Sequence, residues 1–579
     1  MLGKGILFGS VFHAPNSALS HDAVVFCLFG AFVLIVLCIF DFWRGPGWGS
    51  EKKVLLLAKT SGVDDGRRQD KNVPSPADTA PFQAFAKDLI VSAQARGVPV
   101  AALRAVLANL IEAGVYEEDI PSRLLAAAGQ LGELRAKLAG CRLRGPRVDE
   151  AHSQALASID RGDFDAATEA LRRGREAGWT SLSDTESDEA ELYAKEALIE
   201  HLRGRYRAAA ANYAAAAALA LESQDGGAWP YLIGQARELC DDGRAFGNRE
   251  SLLLAATVCH GALGLVARVQ SPDKWAATKH CLGQALFLLG TRDKEPSRLG
   301  AAIDAYLAAL EEWTRDRSPG DWARAQNDLG DALQALSRQN EDLKAMRDAA
   351  AAYRAALTQC QQETAPFEWA RTCKSLGDAL AIIGIGEDQA EHLIEAIHAY
   401  EQALTGTSCD FAPGEWAFTQ IALGKALQAL GEKECGSGRL YQAVSAYQAA
   451  MQHGVVGPWM IAAANDNLGD ALVIIAEREN SAARLKQAAS AYRAALEALP
   501  ADAAPLERAR THIHLAYVLG ALWSRTRNLQ CLDEALGAAD AALSIVEKAG
   551  APEQLAEVDL ARETILAAMG TGKAELAAA

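Results

Sequence analysis

The 579-residue chain lacks the local arrangements on which most enzyme chemistry rests. There is no His-Glu-x-x-His pair to hold a catalytic metal and no Gly-x-Ser-x-Gly elbow to present a nucleophile. Gly570-Thr571-Gly572-Lys573-Ala574 lacks both the first glycine and the hydroxyl of a phosphate loop. His392, Glu395 and His398 have the nearest metal-like spacing, but three residues over two helical turns fan apart. His512 and His514, two apart on a helix, also diverge. Eleven cysteines are scattered singly without a Cys-x-x-Cys, which argues for reduced, buried thiols. Excess positive charge is missing too: the net charge is −17, which sets nucleic-acid binding aside as the main task. The expectation is a chain that is not an enzyme and carries no cofactor and no metal.

What is present is a repeat. Trp275, Trp322, Trp369 and Trp416 are each 47 residues apart, and a Leu-Gly pair follows each, with Gly283, Gly330, Gly377 and Gly424 in register. Tyr306, Tyr353, Tyr400 and Tyr447 keep the same step. Trp459, Gly469 and Tyr492 continue it after a shorter interval. A period of this length means stacked units, each of which buries its apolar face only against its neighbours.

Within a unit, Trp369, Ala370, Cys373, Leu376, Gly377 and Leu380 trace one face of an amphipathic helix, with Pro366 at its start. Leu393, Ala396, Ile397, Tyr400, Ala403 and Leu404 trace a second helix. Glycine at the Leu-Gly position costs about 1 kcal/mol of helix propensity. Its recurrence therefore implies an approach too close for a Cβ. The tryptophans are expected to pack between repeats.

Leu-Gly-x-Ala-Leu followed by Ala-Ile-x-Ala-Tyr-x-x-Ala-Leu resembles the tetratricopeptide repeat (TPR). In the unit at Trp275 the matching residues are Leu282, Gly283, Ala285, Leu286, Ala302, Ile303, Tyr306, Ala309 and Leu310. The departure is length: 47 residues against 34 leaves 13 extra. They are expected to lengthen helix one at its Trp-Ala end and to form a charged loop such as Thr291-Arg292-Asp293-Lys294-Glu295. Long Trp-Ala and Leu-Gly units of this form resemble those of bacterial TPR proteins. The resemblance implies an all-α fold, a right-handed TPR-like α-solenoid of antiparallel helix pairs. One degenerate and six long units occupy 229–546, two ordinary units 149–224, a small helical segment 82–145 and a capping helix 550–570.

The resemblance also implies a concave groove lined by helix one. Mapped onto this chain, its positions include Arg324, Asn327, Asp331 and Gln334, then Arg371, Lys374 and Asp378, then Phe418, Lys425 and Gln428. The family's carboxylate clamp uses Lys and Asn at such positions, and Lys374, Asn327 and Arg371 could serve so. Asp331 and Asp378 alternate with them, so a solvated mixed-charge face stands as the alternative.

Ahead of the repeats, residues 23–40 form an uncharged run, AVVFCLFGAFVLIVLCIF, after a short tail at 1–22. Such a helix is about 27 Å long, close to the hydrocarbon thickness of a bilayer. Phe42, Trp43 and Trp48 follow where interfacial aromatics belong. The alternatives are a buried core helix and a cleaved signal peptide. We read 23–43 as a single transmembrane helix in contact with the lipid bilayer of an inner or plasma membrane. Lys4 precedes the run, whereas Arg44, Lys52, Lys53 and Lys59 follow it, so the N-terminus is expected outside and the repeats in the cytoplasm. Residues 44–80, rich in Gly, Pro and charge, read as a flexible linker.

Two functions compete at this stage. One is a membrane-anchored scaffold binding a protein or peptide partner. The other is a regulatory or sensor subunit whose long loops take a ligand and which controls a separately encoded enzyme.

Overall fold

The computed structural model describes residues 98–578 outside 113–119, 141–145, 178–184, 223–226, 363–364, 408–411, 453–456 and 500–503. The run at 23–43 and the linker at 44–80 lie outside the described residues. Among the described residues no helix is long and apolar enough to cross a membrane.

The described residues form an all-α solenoid of 21 helices. Helices α1 (Val100–Glu112) and α2 (Ile120–Gly140) pack on the first pair, α3 (Pro146–Arg161) and α4 (Phe164–Ala177). Next come α5 (Thr185–Leu202) with α6 (Tyr206–Glu222) and α7 (Trp229–Phe246) with α8 (Arg249–Leu265). The long units follow as α9 (Pro272–Asp293) with α10 (Pro296–Glu312), α11 (Pro319–Asn340) with α12 (Leu343–Leu357), and α13 (Pro366–Gly386) with α14 (Ala390–Gly406). Three more are α15 (Pro413–Lys433) with α16 (Gly438–Met451), α17 (Pro458–Glu479) with α18 (Ala482–Ala498), and α19 (Pro505–Thr526) with α20 (Leu529–Ala549). Helix α21 (Pro552–Ala578) covers the last pair. Each helix packs on the one before and the one after it. First helices of neighbouring long units also touch from α9 through α17, which puts them on the inner side of the stack.

Local chemistry sets the helix ends. Every long unit opens its first helix with proline, at Pro272, Pro319, Pro366, Pro413, Pro458 and Pro505, where the missing N–H is no loss. Left-handed residues close four of them: Lys294 (φ 51°), Glu341 (φ 54°), Asn480 (φ 50°) and Arg527 (φ 55°). The Lys294 N–H donates to the Gly290 carbonyl, satisfying an otherwise orphaned acceptor. The expected charged loop at 291–295 is therefore not a loop. Thr291, Arg292 and Asp293 finish α9, and only Lys294 and Glu295 connect it to α10. The polar residues there are the solvent side of an extended helix. Paired helices in the long units are joined by two to four residues throughout.

One contact explains the Leu-Gly signature. In five long units the tyrosine of helix two lays its ring across the glycine of helix one. A Cβ would meet the ring at 2.7 Å for Gly283 and Tyr306, 2.6 Å for Gly330 and Tyr353, and 2.7 Å for Gly377 and Tyr400. For Gly424 and Tyr447, and for Gly469 and Tyr492, the figure is 2.5 Å. It is an aromatic ring rather than a helix backbone that excludes the side chain. These five tyrosines are the largest fully buried side chains of the described core.

The tryptophans sit at the start of helix one and are less enclosed. Trp275, Trp322, Trp369 and Trp416 are half-buried, and Trp459 is 44% exposed. Trp369 lies against Gly406 at the end of α14, and Trp322 joins Ala276, Ala309, Trp313 and Ala325. Cys240, Cys259 and Cys281 are free thiols buried in one apolar cluster of α7, α8 and α9.

Candidate functional site

The buried tyrosines impose a demand on the inner face, because each hydroxyl must find an acceptor once its ring is desolvated. Tyr353 donates to Asp331 at 2.7 Å, Tyr400 to Asp378 at 2.8 Å and Tyr492 to Asp470 at 2.6 Å. All three acids occupy the slot one residue beyond the Leu-Gly pair. In the fourth unit that slot holds Lys425, and Tyr447 donates instead to Gln428 at 3.1 Å, one turn further along. The acids that alternate with the basic residues in the sequence thus anchor the core from the groove side. Gln334 joins the first of these networks, accepting from Tyr353 at 2.9 Å.

The basic residues divide by what they touch. Arg324 is paired with Asp321 at 3.1 Å, one turn back on the same helix. Lys374 is paired with Asp378 at 2.9 Å, the carboxylate that also holds Tyr400. Asn327 is buried, with its Oδ1 accepting from Thr372 of the next unit at 3.0 Å. Arg371 and Lys425 differ: both are exposed, and neither has a hydrogen-bond or ion-pair partner among the described residues. Arg371 lines a shallow depression with Phe367, Ala370, Lys374, Thr407, Glu415 and Thr419. Phe418, one period after Arg371 on α15, packs on the exposed Trp459 of α17 with ring centroids 4.8 Å apart.

Buried ionic chemistry lies beneath Arg371. His280 of α9 reaches Asp328 of α11 at 2.8 Å, and Gln284 donates to the same carboxylate at 3.3 Å. Burial alone would raise the Asp328 pKa, but the hydrogen bond and charge of His280, with Arg371, reverse that and hold it below its ordinary value. Asp331 goes the other way. Desolvation pushes it up to about 6 from the ordinary 3.8, Arg371 pulls against this, and Asp328 adds to it. Arg371 itself is held above its usual range: desolvation works against its charge, and Asp331, Asp328, Glu368 and Glu415 together outweigh that.

The sign of the resulting pH dependence follows. Between about 6 and 3.8 the folded chain binds a proton at Asp331 that the unfolded chain does not. Stability of this unit is therefore expected to rise as pH falls through that window, and to lose the gain above it. Thermal melts at pH 7 and pH 5 should differ less for Asp331→Asn than for the parent chain; equal pH responses would remove Asp331 as the cause.

Local spacing shows neither the His280–Asp328 pair nor the Phe418–Trp459 contact, because both cross between units.

No protein-family model matches the sequence, and no curated protein is similar to it. Solved structures similar to the chain include a human IFIT1 dimer with PPP-AAAA, 12% identical, covering 78% of this chain and 95% of that one at a TM-score of 0.31. A Rap protein complexed with Competence and Sporulation Factor is 14% identical over 71% of this chain and 98% of that one, TM-score 0.29. The TPR2AB domain of yeast Sti1 in a pHSP90 complex is 16% identical over 50% and 98%, TM-score 0.18. At these scores the similarity extends to no residue of the site.

Proposed function

We propose that the chain is a non-catalytic scaffold that holds a protein or peptide partner along the inner face of its long units. The observation that carries this reading is the contrast among the inner cations and aromatics. Arg324 and Lys374 are already paired, whereas Arg371 and Lys425 are exposed with no hydrogen-bonded or ion-paired partner among the described residues, and Phe418 and Trp459 present packed rings on α15 and α17. Exposed cations and an exposed aromatic ring, all on packed helices, are what a partner could engage without reorganising the core.

The anchor belongs to the same proposal. The uncharged run at 23–40 and the basic residues after it support a single membrane span with the repeats in the cytoplasm, so the partner would be held close to the bilayer. The regulatory reading needs ligand-sized loops between paired helices. Connections within the long units are only two to four residues, so we favour the scaffold.

A photo-crosslinking side chain placed at 418 is expected to capture a discrete partner in native membranes. The same group at 395, on the exposed Glu395–Arg354 pair between second helices, is expected to capture none. Equal capture from both positions, or capture from 395 alone, would reject the inner face.

A further inference from the structure

Beyond the groove at α11–α15, the inner face carries a second constellation at its C-terminal end. Asp466 and Asp470 lie four residues apart on α17 and so share a face, and His514 meets them from α19. His514 Nδ1 stands 3.3 Å from Asp470 Oδ1 and 3.9 Å from Asp466 Oδ1. All three donor atoms fall within 4.8 Å of one another. Nδ1 is buried and faces both carboxylates without the alignment of a hydrogen bond to either.

We propose that Asp466, Asp470 and His514 form a binding site for a divalent transition-metal ion, Zn²⁺ being the best match, which joins the fifth and sixth long units. Three features carry the assignment. First, a tetrahedral ion with bonds of about 2.0–2.1 Å sets its ligand atoms roughly 3.3 Å apart, the separation of Nδ1 and Asp470 Oδ1. Second, two carboxylates at i, i+4 on one helix face repel each other and call for positive charge between them. Arg510, 3.4 Å from Asp466, is the neighbouring cation and is itself shared with Glu507 at 2.7 Å. Third, the ligands are already oriented. Thr511 donates to Asp466 at 2.8 Å and Tyr492 to Asp470 at 2.6 Å, the kind of supporting hydrogen bond that metal-binding carboxylates use.

The other triad of similar composition makes the contrast. In His201, Glu238 and Asp241, one ring nitrogen is 2.8 Å from Glu238 and the other 2.9 Å from Gln130, while Asp241 is paired with Arg244 at 2.9 Å. There both ring nitrogens are engaged by protein, whereas His514 Nδ1 makes no hydrogen bond. At His514, three protein ligands leave a coordination position for water.

The test titrates the full chain with Zn²⁺ against a chromophoric chelator, and with Co²⁺, whose visible absorption reports coordination number. One tight equivalent is expected. It should weaken by at least about tenfold in Asp470→Asn, which keeps an acceptor for Tyr492, and in His514→Gln. His201→Gln should bind as the parent does. Metal-free melts of each variant separate lost ligation from lost fold, and Asp466→Asn serves as a third ligand change should one variant fail to fold. No tight equivalent in the parent, unchanged binding in folded Asp470→Asn and Asp466→Asn, or loss in His201→Gln instead would overturn the site.

Discussion

Truncating Tyr400 to alanine is expected to destabilise the stack by roughly 3–5 kcal/mol, in the range for emptying an aromatic site in a packed core. Tyr400 is 2% exposed, and its hydroxyl is held by Asp378. Removal leaves a cavity and takes from Asp378 one of its two partners, leaving it Lys374. Because neighbouring units supply each other's burial, the loss should appear first as local unfolding around α13–α15. Tyr400→Phe isolates the hydroxyl and should cost about 1.5–3 kcal/mol, the range for a hydrogen bond to a charged group. Trp369→Ala should cost less than Tyr400→Ala, since Trp369 is only half-buried. Denaturant unfolding followed by helical signal orders the three. A tryptophan variant worse than the tyrosine variant would mean that the repeat is held at its helix starts instead.

Gly377→Val should be the other severe change. A Cβ at this position would lie 2.7 Å from the Tyr400 ring, and the ring is enclosed on all sides. Even Gly377→Ala should lower stability, although alanine gains about 1 kcal/mol of helix propensity. The overpacking cost, roughly 1–3 kcal/mol, outweighs that gain. Gly300 provides the control: it lies within α10, and a Cβ there meets nothing within 4 Å. Gly300→Ala should therefore stabilise. In a double-mutant cycle, Gly377→Ala should become neutral or favourable once Tyr400 is alanine. A Gly377→Ala variant more stable than the parent chain would refute the ring-on-glycine account.

Much of this architecture is written into the sequence, because each unit repeats the same packing problem. The Leu-Gly pair, the tyrosine and the starting proline recur at one period, and each has a local physical cause. Misreading begins where local polarity has two explanations. Thr291, Arg292 and Asp293 look like a loop, yet they are the exposed end of a helix that stops at a left-handed lysine rather than at glycine. Asp331 and Asp378 look like charges opposing a basic strip, whereas their geometry makes them acceptors for tyrosines 22 residues away. Linear spacing does separate Lys374, with Asp378 four residues on, from Lys425, with Ala429 there. What it does not show is that Asp378 also holds Tyr400, whereas Lys425 stands in the acid's slot and leaves Tyr447 to Gln428. The metal-type triad is hidden for the same reason, since His514 belongs to the unit after Asp470.

The inner-face claim is tested most directly by reversing the two unpaired cations together, Arg371→Glu with Lys425→Glu. Lys374 is the wrong target, because it supports Asp378 and through it Tyr400. Affinity should be measured by titration against the partner captured at position 418, with melting recorded alongside. The account predicts binding weakened at least about tenfold, a loss that shrinks with added salt; because Arg371 is also the counter-charge of Asp328 and Asp331, Lys425→Glu alone should weaken binding with the melting profile unchanged. Undiminished affinity in the folded double variant would contradict it and place the partner elsewhere on the stack.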